Sequence, residues 1–182
     1  MECLLRYGKP DDATTIAALA TQVFLDTYAT QGVRNDLARE AFSEYSAEAF
    51  RRRLGKEGRV FVLAERQGHL VGFVEFMPSA NSAPVSGAVG AEVVRLYVQP
   101  RAKRQGIGTM LLRCAEGEAS SRRLHHAWLT AWEGNDPALN FYAKSGYVDV
   151  GTSRHAIDGH TYINRVLVRR LRPEARHSQA LR

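Results

Sequence analysis

The chain has 182 residues, 45% hydrophobic and 24% charged, with a formal net charge of +6. That is the length and apolar content of one globular domain, able to bury a core without disulfides or a structural metal. Disorder of the low-hydrophobicity kind is excluded, and there is no run of about 18 apolar residues of the kind that spans a membrane. The first twelve residues, MECLLRYGKPDD, lack the apolar stretch of a secretory signal, so a soluble, cytoplasmic protein is expected.

After Pro10-Asp11-Asp12, the apolar residues Ile16, Leu19, Ala20, Val23 and Phe24 recur at helical spacing, with Asp11 or Asp12 as N-cap. A looser helical region covers 36–54, with Leu37, Phe42, Tyr45 and Phe50 as its apolar side and Arg51-Arg52-Arg53 as a solvated end. The period then changes to two. Residues 60–64 and 70–76 read as strands joined at Gln67-Gly68-His69, a hairpin. Residues 78–90, rich in Pro, Gly, Ser and Ala, read as a loop. A strand at 91–98 leads through a glycine-containing turn into a helix from Gly106 to about Ser121, with Ile107, Leu111, Leu112 and Ala115 on one stripe. A strand at 127–132 follows. Asn135-Asp136-Pro137 opens a helix with Asp136 at the cap and Pro137 at the first helical position, and Gly146 closes it at C′. Strands at 147–151 and 161–171 complete the sheet, and 173–182 reads as a polar tail. The pattern is that of a single α/β or α+β domain over 1–172.

Cys3 and Cys114 stand far apart with no C-x-x-C pair, so neither a disulfide scaffold nor a four-cysteine zinc site is expected. Both read as small buried residues, Cys114 at the edge of its helix stripe. His125, His126, His155 and His160 form no H-E-x-x-H spacing, and no metal is expected. Trp128 and Trp132, alternating about Thr130, read as core. From Arg165 onward six arginines face one glutamate, so most of the surplus charge sits at the C-terminal end. The rest is nearly neutral, and the distribution does not favour nucleic acid as a partner.

The stretch Glu92–Gly108, EVVRLYVQPRAKRQGIG, carries the chemistry. A strand runs into Lys103-Arg104-Gln105-Gly106-Ile107-Gly108 and a helix begins. Glycines allow close backbone approach, and the first helical turn offers unpaired N–H groups and the positive end of a dipole. Lys103 and Arg104 add charge. These are the requirements of a pyrophosphate site. The nucleotide P-loop string is absent, and the third glycine of the dinucleotide fingerprint is Leu111. Taken alone, an anion cradle and an ordinary glycine turn both remain open.

A second element, Asn135, Tyr142, Gly146 and Tyr147, reads N-x₆-Y-x₃-G-Y. Together the two resemble the GNAT superfamily of acetyl-CoA-dependent N-acetyltransferases, whose pyrophosphate turn is [Q/R]-x-x-G-x-[G/A] and whose later block is N-x-x-A-x-x-x-Y-x-x-x-G-[FY]. Here the first turn position is Lys103, which keeps the charge. The resemblance implies a mixed, mostly antiparallel sheet flanked by helices, with a splayed parallel strand pair at the cofactor cleft. It implies acetyl-CoA as co-substrate and no metal. It also implies that the backbone of Leu96, Tyr97 and Val98 meets the pantetheine arm and that Lys103, Arg104, Gln105, Gly106, Ile107, Gly108 and Thr109 cradle the pyrophosphate. Asn135 would bond the cofactor arm. Tyr142 would stand near the thioester sulfur as proton donor to the leaving thiolate, and a backbone N–H at Tyr97 or Val98 would hold the oxyanion.

Direct attack by an amine requires the ammonium, with a pKa near ~10, to lose a proton. Glu92, on the strand before the turn, is the candidate base, directly or through water; a solvent-facing strand carboxylate is the other reading. Phe24–Tyr28 and Ser153–His160 are similar to segments of bacterial spermidine/spermine acetyltransferases, which share an F-x-x-T-[YF] helix and an H-x-x-x-D/G turn. That similarity implies a polyamine or other small amine as acceptor. Asp26, Glu44, Glu75 and Glu92 are its candidate carboxylates, and Tyr28, Glu75 and Glu92 the acceptor-binding set; Tyr28 and Tyr45 also fit core or rim aromatics. A peptide or protein N-terminus as acceptor, and a non-catalytic acyl-CoA sensor, are the alternatives. The resemblance also implies late strands of the kind that pair in homodimers.

Overall fold

A computed structural model describes residues 3–157 and 159–171, with the backbone alone at 80 and 81. The expected tail at 173–182, Arg172 and Asp158 lie outside the described residues. The first apolar stripe folds as α1 (Ala13–Tyr28), burying Ile16, Leu19, Ala20, Val23 and Phe24 as the spacing predicts. Asp12 holds the N-cap position, yet its carboxylate makes no cap bond to the helix. It accepts from the Lys9 N–H at 2.8 Å and pairs with Arg6 at 2.7 Å.

The region expected as one loose helix is two, α2 (Asn35–Ser43) and α3 (Ala47–Leu54). Ser46 caps α3, its hydroxyl accepting from the Ala49 N–H at 3.2 Å. The break resets the helical phase, so Leu37, Tyr45 and Phe50 are buried while Phe42 is 83% exposed. Arg53 is not a solvated end: its guanidinium lies 5.1 Å from the centre of the Phe50 ring and pairs with Glu44.

A short strand β1 (Leu4–Tyr7), too brief for its alternation to register in sequence, pairs antiparallel with β2 (Val60–Arg66), Leu4 opposite Glu65. β2 turns into β3 (His69–Ser82) through Gln67 and Gly68, both at positive φ (52° and 75°), the two-residue turn whose twist suits a hairpin. β3 continues to Ser82 and β4 (Val89–Val98) begins at Val89. The expected 78–90 loop is therefore only the short connection between these strands, because strand pairing overrides the weak propensities of its Ser and Ala residues. α4 (Ile107–Ser121), β5 (His126–Trp132), α5 (Asp136–Lys144), β6 (Val148–Ile157) and β7 (His160–Arg170) follow. The stretch 153–157, expected ahead of the last strand, belongs to β6: His155 pairs with Tyr162.

The hydrogen-bonded strand order is β1-β2-β3-β4-β5-β7-β6. β5 and β7 are antiparallel, as are β6 and β7. β4 and β5 are parallel, with Ala91 opposite Ala127 and Glu92 opposite Trp128. Among the described residues this parallel register spans those two pairs, whereas β5 stays paired to β7 as far as Trp132. It is the mixed, splayed sheet that the resemblance implies. The described residues of 3–75 and 95–112 form one compact unit, and those of 76–94 and 113–171 a second. The first unit's core gathers Phe24, Phe50, Phe61 and Phe73. In the second, Trp128 and Val166 pack with Ala83, while Trp132 is half-buried and meets Tyr162 edge-on at 6.0 Å.

Candidate active site

In the first unit, the end of β4 feeds a 3-10 turn at Pro100–Ala102 and then the segment 103–106, exposed throughout. Arg104 and Gly106 both take positive φ, 61° and 80°. A Cβ at Gly106 would meet nothing within 4 Å, so the glycine answers to its backbone angle and not to crowding. Residues alternating about the left-handed region turn successive N–H groups to one side, the concavity that takes an anion. The first recurring bond of α4 runs from the Met110 N–H to the Gly106 carbonyl at 3.0 Å. The N–H groups of Ile107, Gly108 and Thr109 therefore precede the helical ladder. Lys103, Arg101 and Arg104 flank them. This backbone and its charge fit a pyrophosphate.

Two contacts brace the turn. Arg66 donates to the Gln105 side-chain oxygen at 2.7 Å, and Gln105 donates to the Arg101 carbonyl at 3.1 Å. Ile107 is buried and anchors the helix start. Leu96, Tyr97 and Val98 are half-buried on β4. A Cβ on Gly72 would lie 2.9 Å from the Tyr97 carbonyl oxygen and 3.3 Å from Ile107. Glycine at 72 thus lets β3, β4 and α4 close on one another.

Beside these lies a polar cluster. Glu75 is fully buried and accepts from Arg95 at 2.6 Å on one oxygen and from Arg59 on the other. Its charge is met by the chain's own arginines. Arg95 also lies over the Tyr45 and Phe50 rings, 5.7 and 6.0 Å from their centres. The hydroxyls of Tyr45 and Tyr97 are 3.0 Å apart. Burial, the second phenol and its hydrogen bond hold the Tyr97 hydroxyl protonated well above its ordinary range, against the opposing pull of Arg95. Tyr28, half-buried at the end of α1, lies 5.2 Å from Phe24 ring to ring. Asp26 is exposed.

In the second unit, the N-x₆-Y-x₃-G-Y spacing resolves into the anatomy of one helix. Asn135, not Asp136, is the N-cap of α5: its side-chain oxygen accepts from the Ala138 N–H at 3.3 Å, and Asp136 and Pro137 fall in the first turn. At the other end Gly146, at φ 85°, donates to the Ala143 carbonyl and Tyr147 to the Tyr142 carbonyl, both at 3.0 Å. This double closure is the Schellman motif, with its accompanying apolar contact: the Tyr142 and Tyr147 rings are 5.8 Å apart. The spacing therefore holds Tyr142 on the last turn of a helix capped at both ends. Burial pushes its phenol above the ordinary value, so it stays protonated at neutral pH.

Glu92 is half-buried on β4, opposite Trp128. Glu116, buried on α4, accepts from the Arg169 Nη1 on both carboxylate oxygens, at 2.9 and 2.8 Å. Burial raises its carboxyl, an effect that Arg169 opposes. Arg165 pairs with Asp149 at 2.6 Å, so two of the C-terminal arginines are engaged within the fold. Burial pushes the Cys114 thiol up to about 11. Among the described residues no group of three His, Cys, Asp or Glu side chains is gathered to hold a metal, and no helix is long and apolar enough to cross a membrane. Sequence reasoning missed the arginine partners Arg59, Arg66, Arg95 and Arg169. The one available signal was a glutamate inside the apolar run Phe73-Val74-Glu75-Phe76, since a charge there needs partners.

The profile of the Acetyltransferase (GNAT) family matches residues 28–147. An uncharacterized N-acetyltransferase of Bacillus subtilis, YhfO, is 28% identical over 144 residues, covering 79% of this chain and 88% of that protein. Another from Lactobacillus delbrueckii, encoded in the pepI 3′ region, is 24% identical over 136 residues, covering 74% of this chain and 78% of the relative. Among solved structures, the PaiA N-acetyltransferase of Thermoplasma acidophilum in complex with coenzyme A superposes with a TM-score of 0.75. It is 23% identical, over 93% of this chain and 99% of that one.

Proposed function

From the premise that this chain belongs to the GNAT family of acetyltransferases, we propose that it acetylates the primary amine of a small molecule by direct attack, with acetyl-CoA as donor. The observation that carries the proposal is the turn at 103–109. Its two left-handed residues, helix-start N–H groups and flanking cations suit the pyrophosphate of coenzyme A. Bound acetyl-CoA supplies an activated acetyl group. The chain's own residues then manage protons and charge. Glu92 accepts a proton from the acceptor ammonium, through water, to free the attacking lone pair. A backbone N–H at Tyr97 or Val98 holds the negative charge that develops on the carbonyl oxygen. Tyr142, kept protonated by burial, donates its proton to the departing thiolate. The Asn135 side-chain oxygen serves as the α5 cap, which leaves its amide N–H₂ to meet the cofactor arm.

The polyamine form of the proposal rests on the Phe24–Tyr28 and Ser153–His160 segments. Of the carboxylates it would use, Glu44 and Glu75 are ion-paired to arginines, so the broader class of small primary amines is preferred. The test is release of free CoA thiol from acetyl-CoA across spermidine, spermine, amino acids, an aminoglycoside and short peptides. Turnover on a small amine is expected. Turnover on peptides alone, or tight acetyl-CoA binding with no turnover, would reject the proposal.

A further inference from the structure

Near Tyr97 the first unit gathers more positive charge than its described carboxylates balance. The guanidiniums of Arg53 and Arg95 lie over the Phe50 and Tyr45 rings, and that of Arg59 joins Arg95 on Glu75. They face two carboxylates, the buried Glu75 and the half-exposed Glu44. Among the described residues one positive charge is surplus. A buried ion pair built only for the fold needs one cation per carboxylate, because every further buried charge costs desolvation with nothing returned. Arg53 shows the strain of the surplus: burial, Arg95 and Arg59 hold its guanidinium below the ordinary range, though Glu75 and Glu44 pull the other way. The Arg59 Nε is buried without a hydrogen-bond partner among the described residues. The Tyr45 and Tyr97 hydroxyls share one hydrogen bond, which uses one of their two protons and leaves a second donor. The three arginine side chains are not sealed, being 14%, 21% and 17% exposed. An ammonium would be repelled there by three guanidiniums set against two carboxylates.

We infer that Arg53, Arg59 and Arg95, with the Tyr45–Tyr97 hydroxyl pair, form an acceptor subsite for an acidic group, so that the amine acetylated belongs to a molecule also carrying a carboxylate or comparable oxyanion. The inference rests on the acetyl-transfer reading and narrows its substrate to amino-acid-like amines. Planar guanidinium forks bond carboxylates on two oxygens at once, which fixes direction as well as charge. The subsite would hold the acid end and leave the amine free to attack.

The test compares amines matched except for the acid: lysine against cadaverine, 4-aminobutyrate against butylamine, phenylalanine against phenethylamine. In at least one pair the acid is expected to have a kcat/KM higher by about tenfold, the scale of a charge-assisted hydrogen bond. In Arg53→Gln that preference should fall by about the same factor through the KM of the acid, and Arg53→Lys should recover part of it. Arg53 does not bond Glu75, so this variant leaves the buried ion pair whole; its Tm checks folding. Acid-free amines serving as well as their acids in every pair would overturn the subsite while leaving acetyl transfer intact. If no amine turns over, the acetylation reading fails, and calorimetric titration of the same pairs decides the subsite separately. Tighter binding of the acid supports it, and equal binding overturns it.

Discussion

Burial gives Tyr142 its chemical character. A phenol raised above its usual value is neutral across the working range, so in the proposed role of proton donor it does not titrate where the enzyme acts. Tyr142→Phe should lower kcat by about 100-fold or more, the usual scale of a lost general acid, with the Kd of acetyl-CoA almost unchanged. In the parent enzyme the pH profile of kcat should show no basic limb from this residue up to about pH 10, the ordinary tyrosine value. A limb near pH 8 that vanished in the Phe variant would contradict the assignment. Cys114 is held equally inert. With its thiol at about 11, about 0.1% is thiolate at pH 8, and the thiolate is the reactive form. Iodoacetamide at that pH should leave acetyl transfer intact, and labelling of Cys114 should accelerate as pH rises toward 11. Rapid inactivation at pH 7 would show a reactive thiol instead.

At the scale of elements, the helix that carries Tyr142 owes its position to its caps. Gly146 sits at φ 85°, and a Cβ there would meet only the Arg169 Nε, at 3.7 Å. The space is adequate and the backbone angle is not. Gly146→Ala should therefore destabilise by about 1–2 kcal/mol, read as a lower urea midpoint, with Gly146→Asn milder. Gly72 is the opposite case. Its φ is unremarkable but a Cβ would press on the Tyr97 carbonyl at 2.9 Å and Leu111 at 3.2 Å. Gly72→Ala should cost about 1–3 kcal/mol by overpacking. It should also weaken acetyl-CoA binding, since Tyr97 and the start of α4 are the parts displaced. Normal affinity in a destabilised variant would separate the strand contact from the site. The same distinction explains the misread loop at 78–90: local composition marked a break, whereas pairing of β3 and β4 is a property of neighbours distant in sequence.

For the molecule as a whole, the native state alone presents the turn at 103–109, so acetyl-CoA should stabilise it by linkage. At 100 times its Kd, the donor should add about 2.7 kcal/mol and raise Tm by roughly 5–10 °C. No shift at saturating donor would mean that the cradle does not bind. The helix N-terminus and the capped helix were legible in sequence because each is local, and the splayed sheet was expected only through the family resemblance that those motifs carry. Glycine placement, helix periodicity and the Asn135-to-Tyr147 spacing are set by residues within a few turns of one another. Only tertiary structure decided which charges cancel. Glu75 reads in sequence as a carboxylate open to an amine, and Arg51-Arg52-Arg53 as a solvated run. Folding instead buries Glu75 between Arg59 and Arg95 and lays Arg53 over Phe50. The two Glu75 pairs join residues 16 and 20 positions apart, and no local period records them. Burial then does to the charges what sequence spacing cannot: it removes water, couples each group to the few others enclosed with it, and so makes electrostatics a property of the fold.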